Sequence, residues 1–184
     1  MCRRRPPAGG GEPHQASAAT VCLINQQRAN NGLGALAESS VLDSSATTQS
    51  TDMVDHGFFD HVSPTAGDLI TRMRHGGYIA AGETWSVGEN IAWGQAILAS
   101  PAQTVDDWMH SPEHRANILN PGFREVGVGV VPGVPVPAVG RLARATYTAD
   151  FGSRSGGSAG AGTTFRPGVT HRGGHHRHHR RRHH

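Results

Sequence analysis

The chain has 184 residues, and its 17 basic residues, every one an Arg, face 14 acidic ones for a formal net charge of +3. All 14 acids but only seven Arg fall within residues 12–152, so that span carries −7 and the two ends together +10. A basic nucleic-acid-binding fold is therefore excluded as the centre of the protein, and with no apolar run of ~18 residues a membrane-spanning helix is excluded too.

Residues 1–16, rich in Pro, Gly and Arg, lack the apolar periodicity that offsets ordering entropy and are expected to form a disordered tail. The opening MCRRRPPAGGGEPHQ has no apolar stretch of about 7–15 residues, so it does not read as a secretory signal peptide. Two cysteines, Cys2 and Cys22, make no disulfide framework, and a bridge between them is not expected. A first helix is predicted over 17–30, with Val21 and Ile24 inward, Arg28 outward and Asn31-Gly32 as its stop. The second starts at Ser39 or Ser40, carries Leu42, Ala46, Gln49 and Met53 on one stripe, and ends at Gly57. A third, over 65–75, places Leu69, Ile70 and Met73 together before Gly76-Gly77.

Ser100-Pro101 is an N-cap followed by Pro at the first helical position, and it opens a fourth helix bearing Val105, Trp108 and Met109. Ser111-Pro112 repeats the signal, so SPEHRANIL forms a separate short helix. VGVGVV (126–131) and ARATYTADF (143–151) have strand length and pattern, joined by a Pro-rich loop as a long hairpin. Helices followed by antiparallel strands predict an α+β layered domain over 17–152. Residues 153–184, rich in Gly, Arg and His, are expected to be a second disordered tail.

Chemistry concentrates in three segments, FFDHVSP (58–64), SVGENIAWG (86–94) and SPEHRANILNPGFREVGVGV (111–130), each mixing ionisable groups with aromatics or Gly as cleft-wall loops do. Two imidazoles with nearby carboxylates suit a divalent metal, since neutral His ligates while carboxylates orient it and balance charge. The same groups equally suit a hydrogen-bonded cluster that pins loops together. His110-Ser111-Pro112-Glu113-His114 also matches H-x-x-E-H, but the cap at Ser111-Pro112 separates the two His and argues against a zinc peptidase. Trp85, Trp93 and Trp108 read as core or cleft-wall packing, Asn90 as a satisfier of backbone groups, and Arg115 and Asn117 as local caps or pairs.

Taken in order, these segments resemble the CAP superfamily (cysteine-rich secretory proteins, antigen 5, plant pathogenesis-related proteins) in its bacterial SCP-like extracellular branch. The resemblance runs over about 20–152 and rests on LINQQRANNGLGAL, Phe59-Asp60-His61, Gly88-Glu89-Asn90-Ile91, Trp108 with SPEHRANIL, and YTADFG at 147–152. It implies a three-layer α-β-α sandwich around a central antiparallel sheet and a cleft tetrad of two His and two acids. His61 and His114 match the two His and Glu89 the first acid, with His61, His114 and Glu89 as the metal ligands where a divalent ion such as Zn is held. Ser111 stands where the second acid is expected, and Glu113 is the carboxylate nearest to it. Asn90, Trp108 and Tyr147 would line the cleft.

The function expected is a monomeric extracellular or cell-envelope protein whose cleft binds a small ligand or envelope component, with no specific nucleic-acid partner and no demonstrable catalysis. One alternative is a metal-dependent hydrolase of peptide or glycan using Glu113 or Glu89 as base. Another is an envelope-adhering protein acting through HRGGHHRHHRRRHH (171–184), which suits anionic polymers and strengthens as pH falls through about 6.5.

Overall fold

The structure, a computed structural model, describes residues 12–137 and 142–155. The expectations for residues 1–11 and for the His/Arg tail lie outside those residues. The first helix, α1 (Glu12–Asn30), begins five residues before the predicted start, so residues 12–16 are helical. Val21 and Ile24 are buried as expected. Arg28 is a correction: it is buried rather than outward, donating to the carbonyls of Gly34 (2.8 Å), Ile118 (2.8 Å) and Asn120 (2.9 Å). Those carbonyls end another helix and a loop, so the guanidinium satisfies acceptors that a helix C-terminus otherwise leaves open. Cys22 takes part in a disulfide, against the expectation of no bridge, and its partner position is not among the described residues.

The second helix, α2 (Ser40–His56), follows Ser39 and ends at Gly57, which adopts the left-handed φ of 65° that lacks a steric penalty only in glycine. Leu42, Ala46, Gln49 and Met53 are all fully buried on the predicted stripe. Helix α3 (Leu69–His75) starts later than predicted, because the Asp68 carboxylate accepts from Thr71 N at 2.8 Å and caps it. Helices α4 (Pro101–His110) and α5 (Pro112–Ile118) break at Ser111 as predicted, and Ser100 caps the former through Gln103 N. None of these helices is long and apolar enough to cross a membrane.

Four strands, β1 (Ala37–Glu38), β2 (Thr84–Gln95), β3 (Glu125–Pro132) and β4 (Arg144–Ser155), form one sheet in the order β1-β3-β4-β2. The long pairings are antiparallel, and only the two-residue β1 runs parallel to β3. The expected three-layer α-β-α sandwich is thus present. On one face Val126, Val128, Tyr147 and Phe151 pack with Val21, Ile24, Trp108 and Ile118 of α1, α4 and α5. On the other lie α2 and α3, with Leu42, Met73, Tyr78 and Val87 as an apolar cluster. Beside that cluster sits a polar layer: Thr148 and Asp150 of β4, and Gln49 and Ser50 of α2, are all fully buried, with Ser50 Oγ donating to Thr148 Oγ1 at 2.8 Å.

β2 is the strand that the sequence reading placed among cleft-wall loops. It pairs with β4 over its whole length, Glu89 opposite Asp150 and Asn90 opposite Ala149. Its other edge is open to the sheet, and side chains cover it: Trp108 Nε1 donates to Ile91 O at 3.3 Å and Asn117 Nδ2 to Glu89 O at 3.2 Å. Capping those carbonyls ends pairing at β2 and protects an edge that would otherwise recruit another strand.

Candidate functional site

Glu89 and Asn90 are consecutive on a strand, so their side chains leave β2 on opposite faces and build two different constellations. The first is centred on Glu89. The segment between α2 and α3 brings His61 to it, and α2 fixes that segment at two points. Gln49 Nε2 donates to Asp60 O at 2.6 Å, and the Asp52 carboxylate accepts from the hydroxyls of Ser63 and Thr65. Ser63 Oγ in turn accepts from the backbone N–H groups of Thr65 (3.0 Å) and Ala66 (2.8 Å), closing a local turn. Burial alone would raise the Asp52 pKa, yet those two hydroxyl donors, with His56 and Arg72 nearby, hold it below the ordinary value.

His61 Nδ1 lies 2.7 Å from Glu89 Oε1, and the other carboxylate oxygen of Glu89 is paired with the Arg72 guanidinium. Arg72 also donates to the carbonyls of His61 (3.3 Å) and Gly67 (3.0 Å), so one side chain clamps both the carboxylate and the loop that carries the imidazole. Side chains of Glu89 and Arg72 are each 2% exposed, whereas that of His61 is 15% exposed. In the tautomer that donates Nδ1–H to the Glu89 carboxylate, the imidazole keeps the Nε2 lone pair for whatever enters the cleft.

Asp150 completes the buried set. It faces Glu89 across β2 and β4, is wholly buried, and its two oxygens make no hydrogen bond of normal geometry although Ser45, Glu89 and Arg72 surround it. Burial first, then the Glu89 charge, push its pKa well above the ordinary 3.8, and Arg72 only partly opposes them. The folded state therefore holds a proton that the unfolded chain releases near pH 4. Its stabilisation is full below pH 3.8 and is lost as pH rises toward the folded pKa. Asp150→Asn keeps the shape without the titration. Relative to wild type, its stability is expected to rise as pH increases above 4, by at most about 1.4 kcal/mol per pH unit. Urea unfolding across that range checks this, and parallel curves for the two proteins would show that Asp150 is not the titrating group.

The second constellation lies on the α5 side of β2. Asn90, fully buried, donates to His114 O at 3.1 Å and accepts from Asn117 Nδ2 at 2.8 Å, so it does satisfy backbone as expected. Asn117 is a correction to the local-cap reading, since its partners are on β2. The His114 ring sits 6.5 Å from that of Trp108, tilted by 39°. Trp108 and Tyr147 are core residues, with Tyr147 OH donating to Ala99 O at 2.6 Å. Trp93, at 38% exposed, is the one of the three Trp that lies open to solvent. Ser111 marks the α4–α5 junction and makes no side-chain capping bond there, while Glu113 follows in the first turn of α5. His110 ends α4 and pairs with Asp106, so the H-x-x-E-H match spans two helices, as the cap signal implies.

The structure therefore brings His61 and Glu89 together and adds Arg72 and Asp150, which the sequence reading did not single out. Arg72 had no signal that set it apart from Arg74, since each lies one helical turn after an apolar residue of α3, Leu69 and Ile70 respectively. Asp150 had none, because a Thr-x-Thr-x-Asp alternation reads as a solvent face. Among the described residues, no three His, Cys, Asp or Glu side chains converge as a metal site. Glu89 has one oxygen engaged by His61 and the other by a guanidinium, and His61 has already committed Nδ1. Zn needs about four free donors, and this set does not fit it.

The chain resembles one family model and three other proteins. The family model described as the cysteine-rich secretory protein family, CAP, matches residues 21–135. The YkwD protein of Bacillus subtilis (strain 168) is 42% identical over 111 residues, covering 60% of this chain and 40% of that one, so the chain spans less than half of that relative's length. An extracellular protein containing an SCP domain, from Bacillus anthracis str. Ames, has a solved structure that superposes with a TM-score of 0.59 at 28% identity, over 78% of this chain and 44% of the other. An outer surface protein of Borrelia burgdorferi shares the fold at 16% identity and a TM-score of 0.58, over 73% of this chain and 90% of its own.

Proposed function

Because the chain belongs to the CAP family of cysteine-rich secretory proteins, we propose that it is an extracellular or cell-envelope binding module whose cleft recognises a small ligand or envelope component through His61. The observation that carries this reading is the burial gradient at the site: a partly exposed imidazole is held by a buried carboxylate, which is itself held by a buried guanidinium. Such an arrangement fixes the ring before a ligand arrives and so lowers the ordering cost of binding. Turnover has less support, since no hydroxyl or thiol among the described residues is hydrogen-bonded to the imidazole as an activated nucleophile would be. The location is supported by the extracellular SCP-domain protein that shares the fold at 28% identity.

The test is a titration of the full chain with soluble cell-wall muropeptides in EDTA, followed through the His61 imidazole resonances in NMR spectra. Saturable shifts are expected, with His61→Ala weakening binding by about tenfold, which is about 1.4 kcal/mol. Unmoved His61 resonances, or equal binding by the alanine variant, would end this reading for that ligand class.

A further inference from the structure

The pairing of β2 with β4 is unbroken from Thr84 to Gln95, so Trp85, Val87, Glu89, Ile91 and Trp93 follow one another on the face of β2 turned toward α2 and α3. The first part of this file is covered: Val87 is buried, and Trp85 packs against the cluster that contains Met73 and Tyr78. Ile91 is buried as well. Trp93 is not, at 38% exposed, although its neighbour on β4, Thr146, is fully buried. The turn at Ala96–Ala99 that follows the strand does not cover it. That turn folds back against the opposite face, where the Leu98 carbonyl occupies the place a Cβ at Gly94 would take.

Trp93 stands four residues beyond Glu89, about 13 Å along the strand, on the face where Glu89 holds the partly exposed His61. One open indole and one oriented imidazole thus share a side of the sheet. No ionisable residue occurs from Asn90 to Val105, so the end of β2 and the turn after it supply a ring face and no charge, while at the other end Glu89 is already paired with Arg72. A ligand that suits both ends has an apolar face to lay on the indole and uncharged polar groups along its rim for the imidazole. A pyranose ring has that form: its axial C–H bonds, slightly positive, point at the negative π face, and its hydroxyls stay at the edge. From this placement we infer that Trp93 is the stacking platform of a sugar subsite, and that the cleft takes an uncharged glycan of at least two pyranose rings, since the span from indole to imidazole exceeds one ring. The inference rests on the cleft reading above and names its ligand class.

A peptide-free tetrasaccharide of N-acetylglucosamine, titrated into the full chain, tests it, with the Trp93 Nε1–H and His61 ring resonances followed in NMR spectra. Saturable shifts of both are expected. Trp93→Ala is expected to weaken binding roughly tenfold, and Trp93→Phe, which keeps a smaller ring, about threefold. N-acetylglucosamine itself, too short to reach both rings, is expected to bind at least about tenfold more weakly than the tetrasaccharide. A tetrasaccharide that moves neither ring, or that binds Trp93→Ala as well as wild type, would overturn the sugar subsite. The muropeptide titration then decides the cleft reading separately: it stands if His61 still moves and falls if His61 does not. A stem peptide without sugar that moves Trp93 as far as the whole muropeptide does would also overturn the subsite, since the indole would then be reading peptide.

Discussion

A single methyl group at Gly127 or Gly129 is expected to destabilise the protein by at least ~3 kcal/mol, the upper end of ordinary overpacking. These glycines alternate along β3 on the face covered by α2. A Cβ at Gly127 would run into backbone atoms of Leu42 and Asp43, and one at Gly129 into those of Ala46 and Thr47. The obstacle is the helix main chain, so no rotamer change relieves it, and α2 must lift off the sheet. Lifting α2 would also expose Leu42, Ala46 and Met53 and would break the Ser50–Thr148 bond beneath it. Against a typical total of about 5–15 kcal/mol, either change is severe, and the double alanine variant is expected not to fold. Urea unfolding of Gly129→Ala measures this directly. A loss below about 1 kcal/mol at unchanged m would mean that α2 is not seated on the glycine stripe.

Arg72→Met carries the next largest effect, a loss of about 3–5 kcal/mol, because it leaves Glu89 charged and buried without its partner. Methionine fills much of the arginine volume, so the loss reports the charge rather than a cavity. The same reasoning predicts rescue. In Arg72→Met combined with Glu89→Gln, both charges are gone, and most of the lost stability is expected to return, with a favourable coupling of at least ~2 kcal/mol between the two positions. Additive losses would show that Arg72 and Glu89 do not act as a pair. His61 supplies a second readout, since its resonances should move in Arg72→Met and move back in Arg72→Lys if the guanidinium positions the ring through Glu89.

Much of the helical layer was legible because its signals are local. Ser-Pro at 100–101 and 111–112, Gly57, and the Leu42–Ala46–Gln49–Met53 spacing each constrain a few neighbouring residues, and each appears where the sequence places it. The start of α3 slipped because Asp68, three residues beyond the predicted Thr65, is the residue that supplies the cap. The β3–β4 hairpin was legible from alternation. β2 was not, because Gly88, Glu89, Asn90 and Gly94 are poor strand formers taken one at a time. That strand exists because β4 pairs with it from about sixty residues away and because Trp108 and Asn117 cap its open edge.

The site divides along the same line. His61, Glu89, Asn90 and His114 stand out in the sequence as polar groups set among aromatics and glycine, and that pattern suffices to nominate a cleft and a family. Which of them meet was decided by tertiary structure. Alternation on β2 sends Glu89 toward α3 and Asn90 toward α5, so the carboxylate finds Arg72 while the amide finds the backbone of His114. The charge ledger divides too. The −7 of the central span includes Glu89 and Asp150, neither of which reaches the surface. Composition counts them as charges, but only the fold decides that one is paired with a guanidinium and that the other has its pKa pushed up, because desolvation and neighbouring charge act through space rather than along the chain.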